Sequence, residues 1–156
     1  MKKLSIYLFL VAFAFLPLKA LAAVDITLED KSTTVQKSVD ILVNTGTDTT
    51  QKIGFQIQAS DGVTVSSISD DNTVCSSFAY TNVSNLITIT CTATEAKVLN
   101  GNIDTILFAP NSDDYAFTVS QTTGLDLGTL TLGTVTDVTK TQEVTTAAPV
   151  VTTTAT

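Results

Sequence analysis

Few residues in this sequence can do chemistry, and the missing types decide more than those present. Among 156 residues there is no His, no Arg and no Trp, and all eight basic residues are Lys. Without His there is no Ser–His pair and no side chain that ordinarily shuttles protons near neutral pH. A Ser–Lys dyad or a carboxylate pair is the remaining route to catalysis. The candidate carboxylates, Asp70-Asp71 and Asp113-Asp114, stand in turn-like stretches, where Asp is used to satisfy the backbone. A glycosidase would also need sugar-stacking aromatics, and this chain has only three Tyr. The sequence is not that of an enzyme.

The same acids supply hard oxygen ligands, as Asp70, Asp71 and Asn72 or as Asn111, Asp113 and Asp114. They lack the D-x-[DN]-x-[DN]-G spacing of a calcium loop and read as solvated turn acids. No cofactor is implied. The strongest single signal is the cysteine pair. Cys75 and Cys91 flank a hairpin with its turn near Asn82 to Asn85, and folding the chain about Val83-Ser84 sets them nearly opposite each other. An even cysteine count in an exported chain favours a disulfide over two buried thiols. Two Cys without His make no zinc set.

The elements that must position these residues have a period of two. Val24, Ile26 and Leu28 alternate with Asp25, Thr27 and Glu29. Ile53, Phe55, Ile57 and Ala59 alternate with Gly54, Gln56 and Gln58. Ile87, Ile89, Cys91 and Ala93 alternate with four Thr, and Tyr115, Phe117 and Val119 repeat the pattern. Each run reads as a strand with one buried and one wet face. Turn residues separate the runs at Asn44-Thr45-Gly46, Asp61-Gly62, Asp70 to Asn72, Asn100-Gly101 and Pro110 to Asp114. Only Glu95 to Leu99 hints at a helical turn. The spacing predicts an all-β fold, a single antiparallel sandwich of jelly-roll type with about nine strands.

Both ends differ from this middle. Met1 to Ala22 has a Lys2-Lys3 start, an apolar run from Leu4 to Leu16 and an Ala20-Leu21-Ala22 cleavage site, which together read as a secretory signal. The run is shorter than the roughly 20 residues of a membrane span. From Thr139 the alternation dissolves, and a Thr, Ala and Val tract with one Pro is expected to be disordered. The division is thus 1–22 leader, 23–140 domain and 141–156 tail. Loss of the three leader lysines leaves five Lys against fifteen acids, a mature net charge of −10. Such a surface excludes nucleic acid, which needs Lys and Arg clusters, and disfavours anionic lipid.

Two surfaces are left for binding. One is the wet face of the Ile53 to Ala59 strand, where Gln56 and Gln58 project with Lys52 nearby and can both donate and accept hydrogen bonds. The other is a loop rim bearing Asp70, Asp71, Asp113 and Asp114. The Thr-x-Thr runs suit a wet sheet face, since Thr is a strong strand former. Asn82-Val83-Ser84 is a glycosylation sequon at the expected hairpin tip.

The segment Ser38-Val39-Asp40-Ile41-Leu42-Val43-Asn44-Thr45-Gly46 resembles an early strand of the cohesin-like sandwich family, with its "V-D-V-x-V-N-T-G" stretch. Ile53-Gly54-Phe55-Gln56-Ile57 and Gly62 to Ile68 are similar to the stretches that follow. Gly101-Asn102-Ile103-Asp104-Thr105-Ile106-Leu107-Phe108-Ala109 resembles the "G-x-L-x-T-I-x-F-x-A" strand. Together these span most of Val24 to Val138. Ala59-Ser60-Asp61-Gly62 stands where the family usually has Asp-Pro, and the cysteine pair is no general family feature. The resemblance implies a non-catalytic module. Cohesins proper bind dockerin modules and assemble cell-surface complexes, and looser relatives bind sugars or mediate adhesion. The expectation is an exported module, monomeric, engaging a protein or polysaccharide partner outside the cytoplasm. A self-associating structural subunit is the alternative, with Val24 to Glu29 the one candidate for a donated strand.

Overall fold

The computed structural model describes residues 23–70, 74–120 and 130–141. The expected leader, and the tail beyond Thr141, lie outside the described residues. Ten strands follow one another: β1 (Ala23–Asp30), β2 (Lys37–Asn44), β3 (Thr50–Ala59), β4 (Val63–Asp70), β5 (Ser77–Val83), β6 (Leu86–Lys97), β7 (Asn100–Pro110), β8 (Tyr115–Ser120), β9 (Thr131–Thr136) and β10 (Val138–Lys140). They form two five-stranded sheets, a first ordered β4-β7-β2-β1-β9 and a second ordered β10-β8-β3-β6-β5. Among the described residues no helix is long and apolar enough to cross a membrane.

The alternating side chains meet between the sheets. Val24, Ile26, Ile41, Ile53, Phe55, Ile57, Ile87, Ile89, Ile106 and Phe117 are all essentially inaccessible. Each such side chain contributes about 1.5–3 kcal/mol by leaving water. Phe108 centres an aromatic cluster, with the rings of Tyr115 and Phe117 each 4.8 Å away edge-on. Val65 is only partly buried, at the point where β4 steps out of register with β7 between Val65 and Ser67.

Three details differ from the sequence expectation. First, one pair is parallel: β9 runs alongside β1. A strand arriving from the opposite sheet is not bound by a hairpin to its neighbour, so period two says nothing about its direction. Second, Glu95 to Lys97 continue β6 rather than making a helical turn. Third, the β5–β6 hairpin turns at Ser84 and Asn85, whose φ angles are +51° and +62°. That is the two-residue turn whose twist matches the strands, and it moves each cross-strand partner two residues from a fold about Val83-Ser84. Val83 pairs with Leu86 and Phe78 with Cys91. β1 itself is held between β2 and β9.

The Asn44-Thr45-Gly46 motif has a local cause. Asn44 Oδ1 accepts the Gly46 N–H at 2.8 Å, and Gly46 sits at φ +62°, where glycine has no Cβ penalty. Thr45 is buried and locks the corner: its N–H donates to Leu99 O at 3.0 Å, and its Oγ1 accepts the Leu99 N–H at 3.1 Å.

Candidate binding face

The cysteine pair is bonded. Cys75 and Cys91 are joined at 2.03 Å with Cα atoms 5.4 Å apart. They are not directly paired across the hairpin, since Phe78 takes that position. Cys75 precedes β5, where the Ser76 N–H donates to Thr92 O at 2.8 Å, and its side chain turns into the core beside the buried Cys91. The bond therefore pins the entry of β5 to β6 from the inside.

β3 is the middle strand of the second sheet, flanked by β6 and β8. Ile53, Phe55 and Ile57 point inward, so Lys52, Gly54, Gln56 and Gln58 point outward. Gln56 lies opposite Thr88 on one side and Ser120 on the other. Its Nε2 donates to Thr88 Oγ1 at 3.0 Å, which fixes the amide flat against the sheet. Gln58 plays a different part. Its Nε2 donates to Ala59 O at 2.8 Å and to Asn85 O at 3.2 Å, tying the hairpin turn to β3. Around them β6 adds Thr88, Thr90 and Thr92, β5 adds Ala79 and Thr81, and β8 adds Thr118. This outer face is flat, rich in small hydroxyl side chains, and carries no carboxylate among the residues just named; the exposed Glu95 stands farther along β6, beyond Thr92. Its one charged side chain at these positions is Lys52. The outer face of the first sheet carries Asp25, Glu29 and Asp40.

Among the described residues, Asp70 is not brought together with Asp113 and Asp114. β4 and β7 are antiparallel, with Val63 opposite Pro110 and Asp70 opposite Asp104. Asp113 and Asp114 follow Pro110 in the connection to β8, where the Asn111 N–H donates to Gly62 O at 2.8 Å. Asp70 is thus seven residues along the strand, roughly 23 Å away. Asp71 lies outside the described residues. The sequence placed these acids on one rim because both pairs are turn residues, but Asp70 ends β4 while Asp113 and Asp114 follow Pro110, which lies opposite the start of β4. No group of three or more His, Cys, Asp or Glu side chains gathers as metal ligands among the described residues.

The sequence reading also missed two polar features. Asp104 is fully buried, and its Oδ1 accepts the Thr105 N–H at 2.7 Å while its own N–H donates to Asn102 Oδ1. It alternates with the inward Ile106 and Phe108 on β7 and lies opposite Ile41, while Ile103, at the register shift between Ile41 and Leu42, is the buried residue out of phase. The second feature joins distant segments. The Tyr115 hydroxyl lies 2.9 Å from Asp30 Oδ2 and 3.1 Å from Ser32 Oγ, with Lys140 Nζ 3.8 Å from the same carboxylate. Burial opposes charge on Asp30, but hydrogen bonds from Ser32 and Tyr115 and the Lys140 ammonium outweigh it and lower its pKa. Burial, with the Asp30 charge, raises the Tyr115 pKa. Beside this network is an open pocket of about 310 Å³ lined by Ser60, Asp61, Ser112, Asp114 and Lys140.

No family model matches the chain, and no curated protein sequence matches it. Solved structures do. A non-cellulosomal cohesin from the hyperthermophilic archaeon Archaeoglobus fulgidus superposes with a TM-score of 0.58 at 13% identity, covering 76% of this chain and 89% of that one. A type III cohesin module from the cell-surface anchoring scaffoldin ScaE of Ruminococcus flavefaciens gives 0.55 at 10% identity, covering 70% and 71%. A chain of the CaDoc0917–CaCohA2 complex gives 0.57 at 18% identity, covering 76% and 100%. The two-sheet sandwich of this chain has the cohesin-like fold.

Proposed function

We propose that this chain is an exported, non-catalytic binding module that takes a protein partner, of dockerin type, on the outer face of β8-β3-β6-β5. The observation that carries this reading is the face itself. In a chain of mature net charge −10, it is a flat surface of Thr, Ala and Gln that, over Lys52 to Gln58, Ser77 to Val83 and Leu86 to Thr92, holds Lys52 and no acid, Glu95 and Lys97 standing at the far end of β6. Such a face meets a partner without charge repulsion and with little side-chain entropy to lose. The fold neighbours are cohesin modules, one of the matching chains coming from a two-protein complex, which supports a protein as the partner class. Export rests on the Met1 to Ala22 leader, and the Cys75–Cys91 bond fits an oxidising location. The absence of His from the sequence supports the non-catalytic part.

Gln56 is the central polar residue of this face, while Gln58 supports the turn. The test is capture from the producing organism's envelope and secreted fractions on the immobilised mature chain, compared with Gln56→Ala plus Thr90→Lys. The pair of changes should weaken capture of a specific partner by about tenfold or more with the melting temperature unchanged. Equal retention would remove this face, and loss on changing Asp113 and Asp114 to Ala instead would move the site to the β7–β8 end. A polysaccharide partner would show as binding that survives protease treatment of the fraction. The structural-subunit reading has less support, because β1 is engaged on both sides within its own sheet and gives that reading no spare strand.

A further inference from the structure

The edges of the two sheets are not alike. The first sheet ends in β4 and β9, the second in β10 and β5. A sheet edge presents unpaired N–H and C=O groups, and domains that remain apart guard such edges with charges, bulges or short strands. Three of these edges are guarded. β4 steps out of register between Val65 and Ser67 and ends in Asp70. β9 steps out of register around Gly133. β10 has three residues and carries Lys140.

β5 has none of these devices. It runs seven residues, paired with β6 from Ser77 opposite Thr92 to Val83 opposite Leu86 without a register shift. It contains no Asp, Glu, Lys or Pro, and it lies within the longest uncharged run of the sequence, Asn72 to Thr94. Tyr80 is 46% exposed and Val83 68%, and the Phe78 and Tyr80 rings lie 6.2 Å apart along the strand. Because the hairpin closes through two residues, Val83 and Leu86 are a hydrogen-bonded pair. The alternation of an antiparallel ladder then turns the N–H and C=O groups of Phe78, Tyr80 and Asn82 away from β6. Among the described residues no strand pairs with that side of β5.

We infer that this free edge pairs antiparallel with β5 of a second copy, joining two five-stranded sheets into one of ten strands. The two-fold axis passes beside Tyr80, so that Tyr80 faces its equivalent and Phe78 faces Asn82. Charge indicates this occupant. Two copies of a chain this acidic repel each other wherever their carboxylates approach, and the paired stretch of the β5–β6 hairpin, Ser77 to Thr92, brings none, Glu95 lying beyond it on β6. Edge guards act first against other copies of the same chain, so the edge left open is the one where a copy is accommodated. The pairing is isologous and closes as a dimer instead of propagating as a fibre. It leaves both outer faces around Gln56 pointing the same way, which makes the module bivalent.

Sedimentation equilibrium on the exported chain tests this. The wild type should approach twice the monomer mass as concentration rises. Tyr80→Lys alone and Tyr80→Glu alone should each sediment as monomers, because each sets like charges opposite one another across the axis. A one-to-one mixture of the two should recover the dimer. Asn82→Pro supplies a second variant, since its N–H faces outward and the β6 ladder loses no bond; it should weaken the dimer with the circular dichroism spectrum unchanged. A wild type that stays monomeric up to its solubility limit overturns the inference. So does a dimer that both charge variants retain, or a mixture that stays monomeric.

Discussion

Replacing Cys75 and Cys91 together by Ala should lower the unfolding free energy by about 3 kcal/mol, the value for closing a loop of this size, with a sequence separation of 16. Urea titration of the double variant checks it, and the native circular dichroism spectrum should persist below the transition. Asp30 should show its role through pH. Its pKa is lowered in the folded chain, so its contribution is present above the unfolded value of about 3.9 and lost as pH falls through the lower folded value. Asp30→Asn should therefore be less stable than wild type at neutral pH, and the gap should shrink below about pH 4. Melting temperatures from pH 7 to pH 2.5, roughly the range that spans both values, would show the two curves converging. Parallel curves would mean that Asp30 contributes nothing through its charge. The disulfide was legible in the sequence because Cys count and export are compositional. The Asp30–Ser32–Tyr115–Lys140 network was not, since it joins residues 85 apart through the return of the chain at β8 and β10.

At the scale of elements, alternation carried most of the information. Runs such as Val24 to Leu28 and Ile53 to Ala59 are strands whose apolar members are buried. What period two cannot encode is where a ladder slips. The turn at Ser84-Asn85 moves each cross-strand partner by two residues, and the slip at Ile41/Leu42 leaves Ile103 buried out of phase with Asp104, Ile106 and Phe108. The separation of Asp70 from Asp113 depends on strand length and direction, and neither pair of acids reports which end of a strand it caps. β9 is the clearest case of an element defined by contact. Its Thr134 N–H donates to Asp25 Oδ1 at 2.6 Å, and a Cβ on Gly133 would run into that carboxylate and lie 3.2 Å from Val24 O. Gly133→Ala should cost about 1–3 kcal/mol, as overpacking does. Asp25→Ala in the same chain should recover part of that cost, and a double-mutant cycle measures the coupling. Strict additivity would mean that the close approach is relieved some other way.

For the whole molecule, the two sheets share one core and differ in their outer faces. The outer face of the first sheet carries Asp25, Glu29 and Asp40; the face around Gln56 and Thr88 has no carboxylate up to Thr92, with Glu95 beyond it on β6. This asymmetry was only half visible in the sequence: Gln56 and Gln58 read as outward, but the neighbours that make the face flat and neutral come from β5, β6 and β8. The direct test is methyl NMR on the Thr- and Leu-labelled chain, titrated with the captured partner. The Thr88, Thr90 and Thr118 methyl signals should shift or broaden at stoichiometric partner, while those of Thr27 and Leu42 on the opposite outer face stay in place. Perturbation of Thr27 and Leu42 with Thr88 and Thr90 unmoved would contradict the account.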